Sequence, residues 1–242
     1  MPNRILFVFE GERTENQITD NLTTNNFFGN NTIIQCAYCT DIYQLHKEIS
    51  NDEDLDTFSL LKEKPQNSHA LSAYDRSDFA EIYLFFDYDG HANTATDEKI
   101  ERVLTLFNEE TSSGKIFISY PMVEALKHYS DSINFNKLKV KAKENIKYKN
   151  LVHFQCKKSL RDLTSYSKST WIQLIELHLM KMNYIVNDDY SLPKSNISQN
   201  DIFLNQLEKY INVDCTVAVL SSFPIFLFDY YGIAYITGLL SK

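Results

Sequence analysis

Three acidic side chains carry the chemistry most readable in this chain: Glu10, Asp87 and Asp89. Asp87-Tyr88-Asp89-Gly90 follows the uninterrupted apolar run Ile82–Phe86. On an extended backbone the side chains at i and i+2 point the same way, so the two carboxylates would face one space. Paired carboxylates repel, and a hard divalent cation such as Mg²⁺ or Mn²⁺ relieves that repulsion. Gly90 permits a sharp turn directly after the pair. Glu10 stands in an equivalent place, following the strand-like segment Arg4–Phe9, apolar from Ile5 on, and beside Gly11. A plainer reading exists for each feature. Asp and Gly are ordinary turn formers, and Glu12 and Glu15 are better read as acids complementing a helix N-terminus.

The elements that must position these acids follow from the hydrophobic pattern. Short continuous apolar runs with aromatic and β-branched residues read as strands buried on both faces. Four such strands are expected, at residues 4–9, 32–38, 82–86 and 115–119. Between them lie helical patterns: one capped by Thr14 with Ile18 and Leu22 inward, one with Ile42, Leu45 and Ile49, and one over residues 97–110 that Gly114 stops. Residues 50–78 open with Asp52, Glu53, Asp54 and Asp56, carry Pro65, and read as a surface excursion with a short helix near Phe58–Leu61. Alternation of strand and helix implies a mostly parallel sheet with right-handed crossovers. Open sheets of this kind bind ligands at the carboxyl ends of their strands, where all three acids fall. The fold class is therefore α/β over residues 1–130. Residues 131–242 read as a mainly helical region, with helices at 171–186 and 201–213. His178 reads as a core histidine. Met122–Tyr129 has helical spacing. The tail from Thr216 to Leu240 reads as a buried helical hairpin closing the domain, since Pro224, Asp229 and Gly232 interrupt it.

The 242 residues hold 16 Phe, 15 Tyr and only 6 Gly, with a net charge of −8. Scarce glycine disfavours a β-sandwich, and the overall charge gives no sign of nucleic-acid binding. The basic charge is unevenly placed, however. Lys137, Lys139, Lys141, Lys143, Lys147, Lys149, Lys157, Lys158 and Arg161 face only Glu144 within residues 137–161, with Tyr148, His153 and Phe154 interleaved. In an acidic chain this is the composition of a phosphate-contacting surface, against the alternative of a solvated helix face. Cys36 and Cys39 have no second pair at zinc spacing and read as buried thiols. Met1-Pro2-Asn3-Arg4 leads straight into an apolar run with acids behind it, so the expectation is a cytoplasmic protein without a secretory signal.

An apolar strand ending in Glu10-Gly11 and another ending in Asp87-x-Asp89, within a β/α unit, together resemble the Toprim domain of primases, topoisomerases and OLD-type nucleases. The segment Phe7-Val8-Phe9-Glu10-Gly11-Glu12-Arg13-Thr14-Glu15 is most similar to the RloB-like Toprim proteins, which are associated with bacterial restriction and phage-defence loci. Ser119-Tyr120-Pro121-Met122-Val123-Glu124 looks like that family's Ser-x-Pro-x-x-Glu segment. The resemblance covers roughly the first half of the chain and implies a metal-dependent nuclease. Glu10 would be a metal ligand or general acid/base, Asp87 and Asp89 would hold Mg²⁺ (or Mn²⁺), and Glu124 would be a further ligand. A phosphodiester accumulates charge in its transition state, which one or two divalent ions stabilise while generating hydroxide. The lysine-rich segment would hold DNA or RNA beside the site. The resemblance leaves room for an ATPase or other regulatory partner and for a homo-oligomer, and gives no reason to expect a membrane partner.

Two other readings stay open at this point. Asp87-Tyr88-Asp89-Gly90 also resembles the first motif of haloacid-dehalogenase phosphatases, although His91 and Ala92 replace the small hydroxyl residue expected there and Glu10 would have no role. A non-catalytic Toprim-like module that binds nucleic acid or a protein is the third.

Overall fold

A computed structural model describes residues 3–51, 56–92 and 95–241. The acidic run Asp52-Glu53-Asp54, part of the loop after His91 and the side chain of Ile49 lie outside the described residues. The chain folds as two compact units: Met1–Phe86 with Thr96–Phe117, and Asp87–Ala95 with Ile118–Lys242. The division thus falls at Ile118 instead of near residue 130, and the segment carrying Asp87 and Asp89 belongs to the second unit.

The first unit is built on β1 (Asn3–Phe9), α1 (Arg13–Thr24), β2 (Thr32–Tyr38), α2 (Ile42–Asn51), α3 (Thr57–Glu63), α4 (Ser68–Leu71), β3 (Glu81–Asp87, up to Phe86), α5 (Asp97–Leu106), β4 (Asn108–Glu109) and β5 (Gly114–Ser119, up to Phe117). The sheet order is β2-β1-β3-β5-β4. β1 runs parallel to β2 and to β3, with Phe9 level with Phe85. Ile5–Phe9 and Ile82–Phe86 are buried throughout, as their unbroken apolar runs require of strands covered on both faces. Their rings interlock: Phe7 meets Phe85 edge-on at 5.1 Å between centroids, and Phe85 stacks on Phe117 at 5.9 Å.

The sheet has five strands instead of the expected four. β4 takes the last residues allotted to the preceding helix, which ends at Leu106, and pairs antiparallel with β5. Gly114 opens β5 at φ +110°, where an added Cβ would lie 2.5 Å from Leu84 Cδ1. Its role is this close approach, not helix termination. α1 begins at Arg13 with Glu12, not Thr14, in the capping position. The excursion before β3 is structured beyond one short helix. Phe58, Leu61 and Leu71 are buried, and fully buried Asn67 bonds to the Tyr38 and Leu61 main chain. Cys39 is buried and Cys36 half-buried. Burial pushes the Cys36 thiol up to about 12 and Cys39 up to about 11, so neither supplies a thiolate at neutral pH.

The second unit contains β6 (Lys139–Lys141), α6 (Tyr148–Gln155), α7 (Lys168–Asn187), α8 (Gln199–Gln206), a π-helical turn over Leu207–Ile211, α9 (Asn212–Asp214), β7 (Thr216–Ala218) and α10 (Ser222–Leu240). β6 and β7 pair antiparallel. The tail therefore opens with a strand, β7, and continues as two helical segments joined at a break within α10. The break is at Gly232 (φ +75°, ψ 167°), the interruption expected there, and the segment before it is largely buried. By length and composition alone α10 could cross a membrane. Met122–Tyr129 forms a 3-10 turn over Val123–Lys127 instead of an α-helix. Tyr120 exchanges two main-chain hydrogen bonds with Leu220, and the Tyr120–Pro121 peptide is cis.

His178 is wholly buried on α7. Its Nδ1 accepts from the Ser221 amide at 3.1 Å, and burial pushes its pKa down to about 3. The unfolded chain takes up this proton near pH 6.5 while the folded chain resists it, so stability present above pH 6.5 is lost as pH falls toward 3. By pH 5 the loss is about 2 kcal/mol at roughly 1.4 kcal/mol per pH unit. Urea unfolding at pH 7 and pH 5 measures it, and His178→Gln is expected to remove most of the difference. An unchanged pH dependence in that variant would refute the assignment.

Candidate functional site

The structure distributes the sequence-predicted acids unevenly. Glu10 follows β1, half-buried, in the first unit. Asp87 closes β3 and Glu124 sits in the Val123–Lys127 turn, and these two are 9 % and 5 % exposed. Both charges act on one group, the Tyr148 hydroxyl at the start of α6, whose pKa is driven well up by burial first and then by Glu124 and Asp87. Tyr148 is therefore neutral and cannot serve as a base. His128 fixes its orientation. His128 Nε2 lies 2.8 Å from Gln155 Oε1, an acceptor, so Nε2 carries the proton and Nδ1 accepts the Tyr148 O–H at 2.8 Å. Burial holds the imidazole below its ordinary pKa, consistent with a neutral ring.

That network uses the only hydrogen Tyr148 could offer the acids. Glu124 Oε2 is buried without a hydrogen-bond partner, while Oε1 lies 3.5 Å from Lys149 Nζ. A buried carboxylate oxygen without a partner is costly and calls for a hydrogen-bond donor or a cation. Asp89 adopts φ +41°, a left-handed conformation that Asp tolerates better than most residues, and its Oδ1 lies 3.8 Å from His91 Nδ1. Gly90 between them is required by space: a Cβ there would lie 2.4 Å from the Tyr88 ring and 2.8 Å from the Ala142 carbonyl oxygen.

Among the described residues no group of three or more His, Cys, Asp or Glu side chains is gathered to hold a metal. Mg²⁺, however, keeps several waters and is commonly held by one or two carboxylates plus substrate oxygens. The orphaned Glu124 Oε2, in a site where Asp87 acts on the same tyrosine, fits that smaller donor set.

The lysines divide. Lys141, Lys147 and Lys149 line a pocket of about 230 Å³ with Asp89, Met122 and Ile146, and Tyr148 is part of its wall. Lys139 pairs with Asp214, and Lys157 lies 3.1 Å from Asp131. These acids come from outside the basic segment, so part of the apparent charge excess is neutralised by tertiary pairing. Lys137, Lys143 and Lys158 are exposed and lie outside the pocket lining. The sequence reading missed His128, Gln155 and the pocket residues Met122 and Ile146. Tyr148 was noticed only as an aromatic among lysines.

No family model matches this chain, and neither a curated protein nor a solved structure matches it.

Proposed function

We propose that the chain is a metal-dependent phosphodiesterase acting on DNA or RNA, of the Toprim nuclease type, with Asp87, Asp89 and Glu124 as the donors for Mg²⁺ or Mn²⁺. The observation that carries this reading is the buried, unpartnered oxygen of Glu124 beside a lysine-lined pocket that Asp89 enters. Glu10 joins the acids through the family resemblance alone, as does a role in phage defence. When bound, the ion would polarise a phosphoryl oxygen and lower the pKa of a water.

The chain's own residues account for the rest. Lys141 and Lys147 neutralise phosphate charge at the pocket. Lys149 partly offsets the buried Glu124 charge across 3.5 Å. His128 keeps Tyr148 as a neutral, fixed wall instead of a competing donor to the acids.

The test is cleavage of plasmid, single-stranded DNA and folded RNA with Mg²⁺, Mn²⁺ or EDTA. Glu10→Ala and Asp87→Ala should each lose about 100-fold or more, the scale on which metal-site changes act. Cleavage that ignores EDTA, or that survives both substitutions, rejects the assignment.

A further inference from the structure

We infer that the pocket beside Asp89 receives one unpaired nucleotide, so that the strand bound by this protein is single-stranded at the site. The inference rests on the nucleic-acid part of the preceding reading and adds the form of the substrate.

Three observations lead there. The pocket, about 230 Å³, is smaller than the ~300–1,000 Å³ typical of drug-sized ligand sites. It suits a single base and sugar and excludes a duplex. Its chemistry is divided as a nucleotide's is. Met122, Ile146 and Tyr148 provide apolar wall, while Lys141 and Lys147 provide cations for phosphate, the third lysine of the lining, Lys149, being turned to Glu124 at 3.5 Å. Lys141 does face Glu144 at 3.7 Å, but both side chains are about half exposed or more, and such pairs hold weakly.

The third observation lies along α6. Asn150 lines the pocket, and Phe154 stands four residues on, on the same helix face. Phe154 is 79 % exposed, the most exposed large hydrophobic among the described residues. Fold stability does not account for so exposed a ring. A base adjoining the pocketed one would stack on it, the arrangement by which single strands are bound without sequence preference. A duplex keeps its bases stacked internally and offers neither contact.

Fluorescence anisotropy of the full chain in EDTA separates binding from chemistry. The probes are a labelled 12-nucleotide single strand and the blunt duplex of the same sequence. The single strand should bind at least tenfold more tightly. Phe154→Ala, on the surface and safe for folding, and Ile146→Trp, which fills the pocket without changing charge, should each weaken it by fivefold or more and leave duplex binding within twofold. Lys141→Gln with Lys147→Gln should lower the salt slope by about 0.7 per lysine, whereas Lys158→Gln should not lower single-strand affinity by more than twofold. A mononucleotide should compete and inorganic phosphate at equal concentration should not. Equal binding of duplex, full retention in folded Phe154→Ala and in the double lysine variant, or competition by phosphate alone would overturn the inference. Tight single-strand binding without any metal-dependent cleavage would overturn the nuclease reading and leave the pocket standing.

Discussion

Glu124→Gln is expected to abolish most of the response to Mg²⁺ while leaving the fold as stable as before or slightly more so. The carboxylate is 5 % exposed, and one of its oxygens has no hydrogen-bond partner. In the absence of an ion that charge is a burden on the folded state, eased only by Lys149 at 3.5 Å. Glutamine keeps the shape and removes the charge, so the midpoint of thermal unfolding should be unchanged or rise by about 2–4 °C, the shift that 1 kcal/mol produces in a chain of this size. The metal response should behave oppositely. Wild-type protein should gain about 2.7 kcal/mol when Mg²⁺ exceeds its dissociation constant 100-fold, and the variant should gain little. Cleavage should fall by about 100-fold. Thermal unfolding with and without Mg²⁺ reads the first effect and a cleavage assay the second. A variant that still gains stability from Mg²⁺, or one that loses several degrees without it, shows that Glu124 is a structural partner of Lys149 and not a ligand.

The acids at strand ends were legible because the strands themselves are. Ile5–Phe9 and Ile82–Phe86 are apolar without interruption, and each runs directly into an acid and a nearby glycine. Elements held by tertiary contacts were not legible. β6 and β7 are three residues each and pair Lys139 with Ala218 across most of the second unit, so neither has a local pattern to find. Their pairing is why the tail opens with a strand before its helical segments. Asn67 reads as a loop residue, yet it is fully buried because its amide completes the main-chain bonding of Tyr38 and Leu61. The same limit applies at the site. His128 lies 20 residues from Tyr148 and 27 from Gln155, and only the fold joins them. The lysine segment shows the converse error. Counting charge along the chain overstated its excess, because Asp214, Asp131 and Glu124 arrive from elsewhere to pair with it.

Lys181→Ala is expected to be the most destabilising of the substitutions considered, by about 3–5 kcal/mol. Lys181 lies on α7 with no exposed surface, and its Nζ donates to the carbonyls of Phe135, Asn136 and Leu138 at 3.1, 2.6 and 3.1 Å. Burial pushes its pKa down to about 7, while three carbonyl acceptors favour the charged form. The ammonium thus occupies the place of a bound cation and ties the turn at Phe135–Leu138 to α7. Two effects of opposite sign meet in any replacement. Removing a buried charge relieves desolvation, and apolar residues placed at such sites sometimes stabilise. The carbonyls, however, remain. Phe135 and Leu138 keep other main-chain donors, from the Leu138 and Val219 amides, so the oxygen of Asn136 bears most of the loss, at roughly 1–3 kcal/mol. Alanine adds a cavity worth about 2 kcal/mol or more. Lys181→Met separates the two, since methionine fills the volume and restores packing but not the donors. Urea unfolding should rank wild type above Lys181→Met by about 1–3 kcal/mol and Lys181→Met above Lys181→Ala by a similar step. If methionine instead raises stability, desolvation outweighs the three carbonyl bonds, and Lys181 is a burden on the fold instead of its internal cation.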